Sequence, residues 1–300
     1  MGMREDACGE VHSASFAAMG ARWSVRVWDA LGEQAFAEIA DEAERWCADI
    51  ERLYSRFLPD SFVSSLAGRT GILPVPPAFV EILRLYERIH AASNGACNPL
   101  IGAAMEDIGY DAAYSLRERA TVRPVPALPD ALRVVDDERI ELRQPVQFDL
   151  GAAGKGYAVD GITALLKGRG LRRFLVDGSG DILYSGDGVP ARAGLEHPDN
   201  ATKAIGVVTL MEGALCASAP NRRRWGARHH ILDPRSLQSP SGIAATWVRA
   251  KSVALADIAA TTLFLVDDPA AFAEAVEIEY CILTDEHHVR CSPGFTAEFF

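Results

Sequence analysis

Hydrophobic and polar positions alternate at two periods along this chain. Residues 15–28, "SFAAMGARWSVRVW", end with Trp23, Val25 and Val27 on one side and Ser24, Arg26 and Trp28 on the other. Period two predicts a half-buried strand. From 33 to 57 the spacing changes. Phe36, Ile39, Ala43, Trp46, Ile50, Leu53 and Phe57 recur every three or four residues and predict one long amphipathic helix packed on a core. "PDSFVSSLAGRTG" then breaks into a loop. A second helix is predicted from Pro77, with its proline in the first turn. Its buried stripe is Phe79, Leu83, Tyr86 and Ile89 or His90, and "SNG" at 93–95 closes it.

Residues 111–147 are irregular and proline-rich, and end in a hairpin whose two runs flank "DDE". "VQFDL" reads as a strand and "KGYAVDGITALLKGRG" as a helix. "RRFLVDGSGDILYSG" reads as strand, tight turn, strand, and "IGVVTLMEGALCAS" as further strand. "SVALADIAATTLFLV" is apolar nearly all round, as in a buried helix. "YCILTDEHHVRCS" predicts a last hairpin. Long helices beside hairpin-linked strands imply an α+β layered fold. No internal repeat is present.

Composition narrows the function classes. Of 300 residues, 49% are hydrophobic and 24% charged, as in ordinary globular proteins. A net charge of -11 argues against a general nucleic-acid binder. It leaves room for a local basic pocket. Six cysteines lie scattered with no CxxC pair, so free thiols in a reducing compartment are expected. The N-terminal residues carry no apolar signal region, Cys8 lacks the hydrophobic run of a lipoprotein cysteine, and Asp6 occupies the position where a myristoylation motif has Ser or Thr. No stretch is long and apolar enough to span a membrane. These points predict a cytoplasmic protein without a membrane partner.

Four segments carry candidate chemistry. In "FDLGAAGKGYAVD", Gly151, Gly154, Lys155 and Gly156 give GxxGKG, which is neither a Walker A loop nor a Rossmann GxGxxG. Exposed N–H groups, a helix start and a lysine suit a phosphate. A tight turn with a surface lysine is the other reading. "DGSGD" at 177–181 is a second glycine turn, either a plain hairpin or the far wall of a cleft. In "RHHILDP", adjacent histidines of a strand point apart, so only one of His229 and His230 would face a site. Near-neutral imidazole suits a general base. Arg222, Arg223, Arg224 and Arg228 nearby form the only basic cluster, a rim for anions or a solvated face. Finally, Asp257 and Thr261 share one helix face at i, i+4. A carboxylate in so apolar a helix needs a partner. That partner is an arginine elsewhere, or a Mg²⁺ shared with a hydroxyl and a substrate phosphate.

Taken in order, these segments resemble the ApbE family, the FAD:protein FMN transferases. "FAAMGARW" is similar to the family's opening F..MGT strand, and "IERLYSRFLPDS" to its E..lS.f.p.S segment. "SNGACNPLIG" resembles s.GafDpTvg, and "DLGAAGKGYAVD" resembles DLGgiaKGyavD, the most specific match. "LVDGSGDILYSG", "HHILDPRS" and "ADIAATTLF" follow in family order. The resemblance runs over nearly the whole chain. It implies a T-fold-related α+β architecture of layered helices and mostly antiparallel sheet, in a single domain over residues 1–300.

It also implies an activity, in which the FMN moiety of FAD moves to a Thr or Ser hydroxyl of an acceptor flavoprotein and AMP is released. FAD pyrophosphatase activity and non-catalytic flavin binding are the alternative readings. By the resemblance, Met19, Gly151, Lys155, Asp160, Gly178, Ser179, Gly180 and Asp181 contact FAD. Gly154, Asp257 and Thr261 hold Mg²⁺, and His230 is the base for the acceptor hydroxyl. The chain departs from the family pattern at Ala21, Asn98 and Gly154, at "CASAP" (216–220) and at "DPRSLQSP" (233–240). These departures put flavin binding in question more than the chemistry.

Overall fold

A computed structural model describes residues 3–4, 11–221 and 223–300. Cys8 and Arg222 lie outside the described residues.

The organising element is an eight-stranded sheet. Its strands are β1 (His12–Ala18), β2 (Ala21–Val27), β3 (Arg173–Asp177), β4 (Ile182–Gly186), β5 (Glu212–Ser218), β6 (Ile243–Ala250), β7 (Glu279–Thr284) and β8 (Val289–Cys291). They lie in chain order across the sheet, and every adjacent pair is antiparallel. The expected mostly antiparallel α+β architecture is present.

Period two divides each strand between two cores. Phe174 and Val176 of β3 join Trp23, Val25 and Val27 on the face covered by helices α1 (Glu33–Tyr54), α2 (Pro77–Ala92), α3 (Gly154–Gly168) and α4 (Val253–Thr262). Leu175 points to the other face, with Ile182, Tyr184, Leu215, Trp247 and Cys281. Strands Ala191–His197 and Asn200–Leu210 of a four-stranded sheet cover that side through Ala193, Leu195, Val208 and Leu210. The result is three layers: helices, large sheet, small sheet. A sheet buried on both faces has apolar runs rather than strict alternation, as in "ILYSG" and "YCIL".

Several expectations change in detail. The strand read into residues 15–28 is two strands of a hairpin, because Met19 and Gly20 both take positive φ, 52° and 66°. The long helix stops at Tyr54, and its buried stripe runs through Cys47 and Tyr54 rather than Trp46 and Leu53, which are half-buried. Phe57 lies beyond the helix and stacks with Tyr114. The loop after it contains a short helix, Phe62–Ser65, and strand Gly71–Pro74. "VQFDL" is not a strand. Its backbone is spent on the loop before residue 102, with Gly102 N–H donating to Gln147 O (3.1 Å) and Asp149 N–H to Pro99 O (2.7 Å). In α2 it is Ile89, not His90, that completes the buried stripe.

Helices α1 and α3 pack closely. The Trp46 Nε1–H donates to Ala158 O at 3.1 Å. A Cβ on Gly161 would lie 2.3 Å from the Trp46 ring. Gly161→Ala is expected to cost about 1–3 kcal/mol by overpacking, read as a lower midpoint in urea unfolding. An unchanged midpoint would mean that α1 does not sit this close.

Candidate active site

The turn after Phe148 is built from its own side chains. Asp149 accepts from Gly151 N–H at 2.7 Å and from Arg56 Nε at 2.6 Å. Arg56 is almost wholly buried, lies over the Phe57 ring (4.2 Å) and also donates to Tyr110 O. This fixes the chain entering α3. Helices α3 and α4 then touch backbone to backbone. A Cβ on Gly156 would fall 2.5 Å from Val253 O, so only glycine fits. The contact lets Gly156 N–H donate to Asp257 Oδ2 at 2.9 Å.

Lys155 lies between two carboxylates. Its ammonium donates to Asp181 Oδ2 and stands 3.6 Å from Asp257 Oδ1. Both aspartates are buried, 1% and 3% exposed. Asp181 is carried by the β3–β4 turn, where Gly180 N–H bonds Asp177 Oδ1 and Gly178 N–H bonds Asp181 O. Ser179 and Gly180 there take φ of 65° and 104°. Burial works against the charge on Lys155, and the two carboxylates outweigh it, holding the ammonium above its ordinary range. Burial first, and then Asp181, raise Asp257 above the usual carboxylate range. One turn on from Asp257, Thr261 Oγ1 lies 3.2 Å from Ser218 Oγ.

These groups line a cavity of about 450 Å³, within the ordinary size of a small-molecule site. Of the residues expected in the site, Gly151, Lys155, Ser179, Gly180, His230, Asp257 and Thr261 meet in it. The other five stand behind its walls. Asp181 holds Lys155. Gly154 opens α3, and a Cβ there would make only an ordinary 3.7 Å contact with the Met19 methyl. The family's alanine would therefore fit. Met19 N–H donates to Glu51. A Cβ on Gly178 would meet the Trp23 ring at 3.0 Å. Asp160 accepts from Val253 and Ala254 N–H, both at 2.9 Å, and so caps the N-terminus of α4.

The two histidines do point apart. His229 turns its Nε2 to Pro240 O at 2.9 Å. His230 faces the cavity, and its Nδ1 is buried without a hydrogen-bond partner. Burial, followed by the Arg223 charge, pushes its pKa down to about 3, so the imidazole is neutral. Of the arginine cluster, Arg223 lines the cavity and donates to the Tyr110 hydroxyl at 2.9 Å. Arg228 pairs with Glu118 instead, and Arg224 is exposed. Phe57, Tyr110 and Asn98 also line the cavity. The "IERLYSRFLPDS" segment contains Phe57, whereas no motif marked Tyr110. Asn98 spends its amide on Leu100 N–H and Pro126 O, an ordinary turn role.

Among the described residues, no group of three or more His, Cys, Asp or Glu side chains is arranged to hold a metal. The oxygens present still suit a hard cation. Asp181 Oδ1 is buried without a partner, and Asp257 and Thr261 present a carboxylate and a hydroxyl from one helix face.

Fold and site together define an α+β protein with one cavity walled by a lysine–carboxylate cluster and a neutral histidine. The ApbE family profile matches residues 19–282, and the chain belongs to that family. It is 27% identical over 240 residues to a FAD:protein FMN transferase of Rhodobacter capsulatus, covering 74% of this chain but only 46% of that relative. It is 29% identical over 287 residues to the Treponema pallidum (strain Nichols) protein of the same name, covering 81% of this chain and 76% of the relative. Among solved structures, the flavin transferase ApbE of Vibrio cholerae superposes with TM-score 0.81 at 22% identity, over 96% of this chain and 99% of that one. The apo flavinyl transferase ApbE of Pseudomonas stutzeri gives 0.83 at 22% identity, over 95% and 96%.

Three outcomes test this geometry. Lys155→Met leaves two buried carboxylates without their cation, at an expected cost of about 3–5 kcal/mol. The cost shrinks as pH is lowered and Asp257, already held above the usual carboxylate range, protonates; a loss independent of pH would contradict the cluster. Asp160→Ala is expected to lower stability by about 0.5–2 kcal/mol as a lost cap, with FAD affinity unchanged in a variant that remains folded. A selective loss of FAD affinity would place Asp160 in the ligand site. For His230, the unfolded chain takes up a proton near 6.5 that the folded chain refuses until about 3. Stability therefore falls across that window as pH drops. His230→Gln removes this component, and equal acid sensitivity of both proteins in urea titrations would refute it.

Proposed function

We propose that the protein is a Mg²⁺-dependent FAD:protein FMN transferase acting as a single unit. It moves FMN from FAD to a Thr or Ser hydroxyl of an acceptor flavoprotein and releases AMP. The observation that carries this reading is the meeting of Lys155, Asp257, Thr261 and His230 around one cavity, with the His230 Nδ1 unpartnered. The activity printed for the relatives supports it.

Phosphoryl-type transfer needs positioning and charge neutralisation more than covalent help. The turn at 151–155 offers backbone and a cation to a diphosphate. Arg223 supplies a second cation at the cavity wall. Asp257 and Thr261, with a backbone carbonyl at or near Gly154, would hold Mg²⁺, which would supply Lewis-acid neutralisation of phosphate charge when bound. His230 takes the proton from the acceptor hydroxyl as that oxygen forms its bond to the FMN phosphorus. The bond to the bridging oxygen breaks, and AMP leaves with it. A neutral imidazole is the protonation state this step requires. A diphosphate beside His230 would offset the Arg223 and Lys155 charges and raise its basicity.

No helix among the described residues is long and apolar enough to cross a membrane. We place the protein and its acceptor in the cytoplasm, a reading supported by the free thiols of Cys47, Cys97, Cys216, Cys281 and Cys291. Recovery of the tagged protein from an exported fraction would overturn it.

The direct test incubates protein, FAD and either Mg²⁺ or EDTA, with and without a candidate acceptor. Flavin fluorescence follows binding, and mass spectrometry follows AMP, free FMN and acceptor mass. Acceptor flavinylation with AMP release only in Mg²⁺ is expected. His230→Ala is expected to slow it about 10²–10⁴-fold with FAD binding retained. AMP and free FMN without acceptor would instead mark a pyrophosphatase. Binding that never yields AMP with any acceptor would mark a flavin-binding protein.

A further inference from the structure

The sheet edge carries a second chemical feature, remote in kind from the cavity. Strands β7 and β8 form the terminal hairpin, and in its register Cys281 stands directly opposite Cys291. Thr284 N–H bonds His288 O and Ser292 N–H bonds Tyr280 O, so the Thr284/His288 and Tyr280/Ser292 pairs are hydrogen-bonded ones. Antiparallel pairs alternate between hydrogen-bonded and non-hydrogen-bonded types. Counting one residue in from Tyr280/Ser292 makes Cys281/Cys291 a non-hydrogen-bonded pair, where facing side chains are closest. Such pairs have Cα atoms about 4.5 Å apart, at the short end of the ~4.4–6.8 Å that a disulfide spans.

The two thiols differ in environment. Cys281 is fully buried in the core between the sheets, and Cys291 is half-exposed on the edge strand. The Cys281 side chain beside it holds the Cys291 thiol below its ordinary range, while Cys291 and burial push the Cys281 thiol up. Each of the other described cysteines, Cys47, Cys97 and Cys216, is buried.

We propose that Cys281 and Cys291 form a reversible dithiol–disulfide site that reacts with low-molecular-weight disulfides of the glutathione type. The Cys291 thiolate attacks one sulfur of the small disulfide and expels one small thiolate, giving a mixed disulfide on Cys291. The Cys281 thiol passes its proton to that released thiolate. Its sulfur then attacks the Cys291 sulfur and expels the second small thiolate, which is protonated by water. Two protein thiols are oxidised by two electrons, and one small disulfide is reduced to two thiols. A bridge that ends at the partly exposed Cys291 is open to small thiols, so the site suits switching rather than permanent cross-linking. Closure would tie the edge strand to β7, whose Cys281 pairs in register with the cavity residue Trp247.

The test uses the full-length protein. Native protein is treated with oxidised glutathione, denatured, alkylated and peptide-mapped. The expected product has alkylation blocked at Cys281 and Cys291 together, joined as one cross-linked peptide pair, and dithiothreitol restores both. Cys281→Ser is expected to stop at a glutathione adduct on Cys291. Even if that variant folds poorly, the wild-type map decides the matter. A persistent Cys291–glutathione adduct in the wild type, a cross-link to any other cysteine, or no change at either thiol would each overturn the proposal.

Discussion

The ion cluster of Lys155 with Asp181 and Asp257 is the constraint around which the site is arranged. Each carboxylate is almost without solvent contact, so neither could remain charged alone. The lysine that neutralises them comes from the start of α3, one aspartate from the β3–β4 turn and the other from the middle of α4. Three elements distant in sequence must therefore converge before any of the three charges is tolerable. The same convergence places a cation, two carboxylates and Thr261 beside one cavity.

Backbone proximity makes this convergence possible. Gly156 lets α3 and α4 meet without intervening side chains, and Asp160 holds the first N–H groups of α4. Thus one stretch, residues 154–160, contributes a charge to the site, a close contact to the packing and a cap to the neighbouring helix. The mostly antiparallel sheet supplies the rigid base, buried on both faces by helices and by the smaller sheet. The histidine stands across the cavity on a separate loop, where burial keeps it neutral.

Much of this was legible from residue spacing. The stripe Phe36, Ile39, Ala43, Ile50 and the alternation Trp23, Val25, Val27 are local patterns, and local periodicity reports the buried face directly. The placement of His230 rather than His229 in the cavity followed from strand geometry together with the family resemblance. Legibility failed where long-range contacts decide. Phe57, Tyr110 and Arg56 form one aromatic and guanidinium wall only because residues 56–57 and 110 meet in space. The extended segment at 146–150 bonds to a loop instead of a strand, which no local pattern announces. The 281/291 register likewise emerges from pairing, since the two cysteines lie ten residues apart in a chain whose cysteines read as scattered.

By the proposed function, the cavity at the lysine–carboxylate cluster would hold the diphosphate of FAD with a divalent ion beside it. The most direct measurement is anomalous diffraction from crystals grown with FAD and Mn²⁺ in place of Mg²⁺. One manganese peak in contact with Asp257 and Thr261 is expected, with the flavin diphosphate against residues 151–155. A flavin bound elsewhere, or a diphosphate in the cavity with no metal at Asp257, would contradict it.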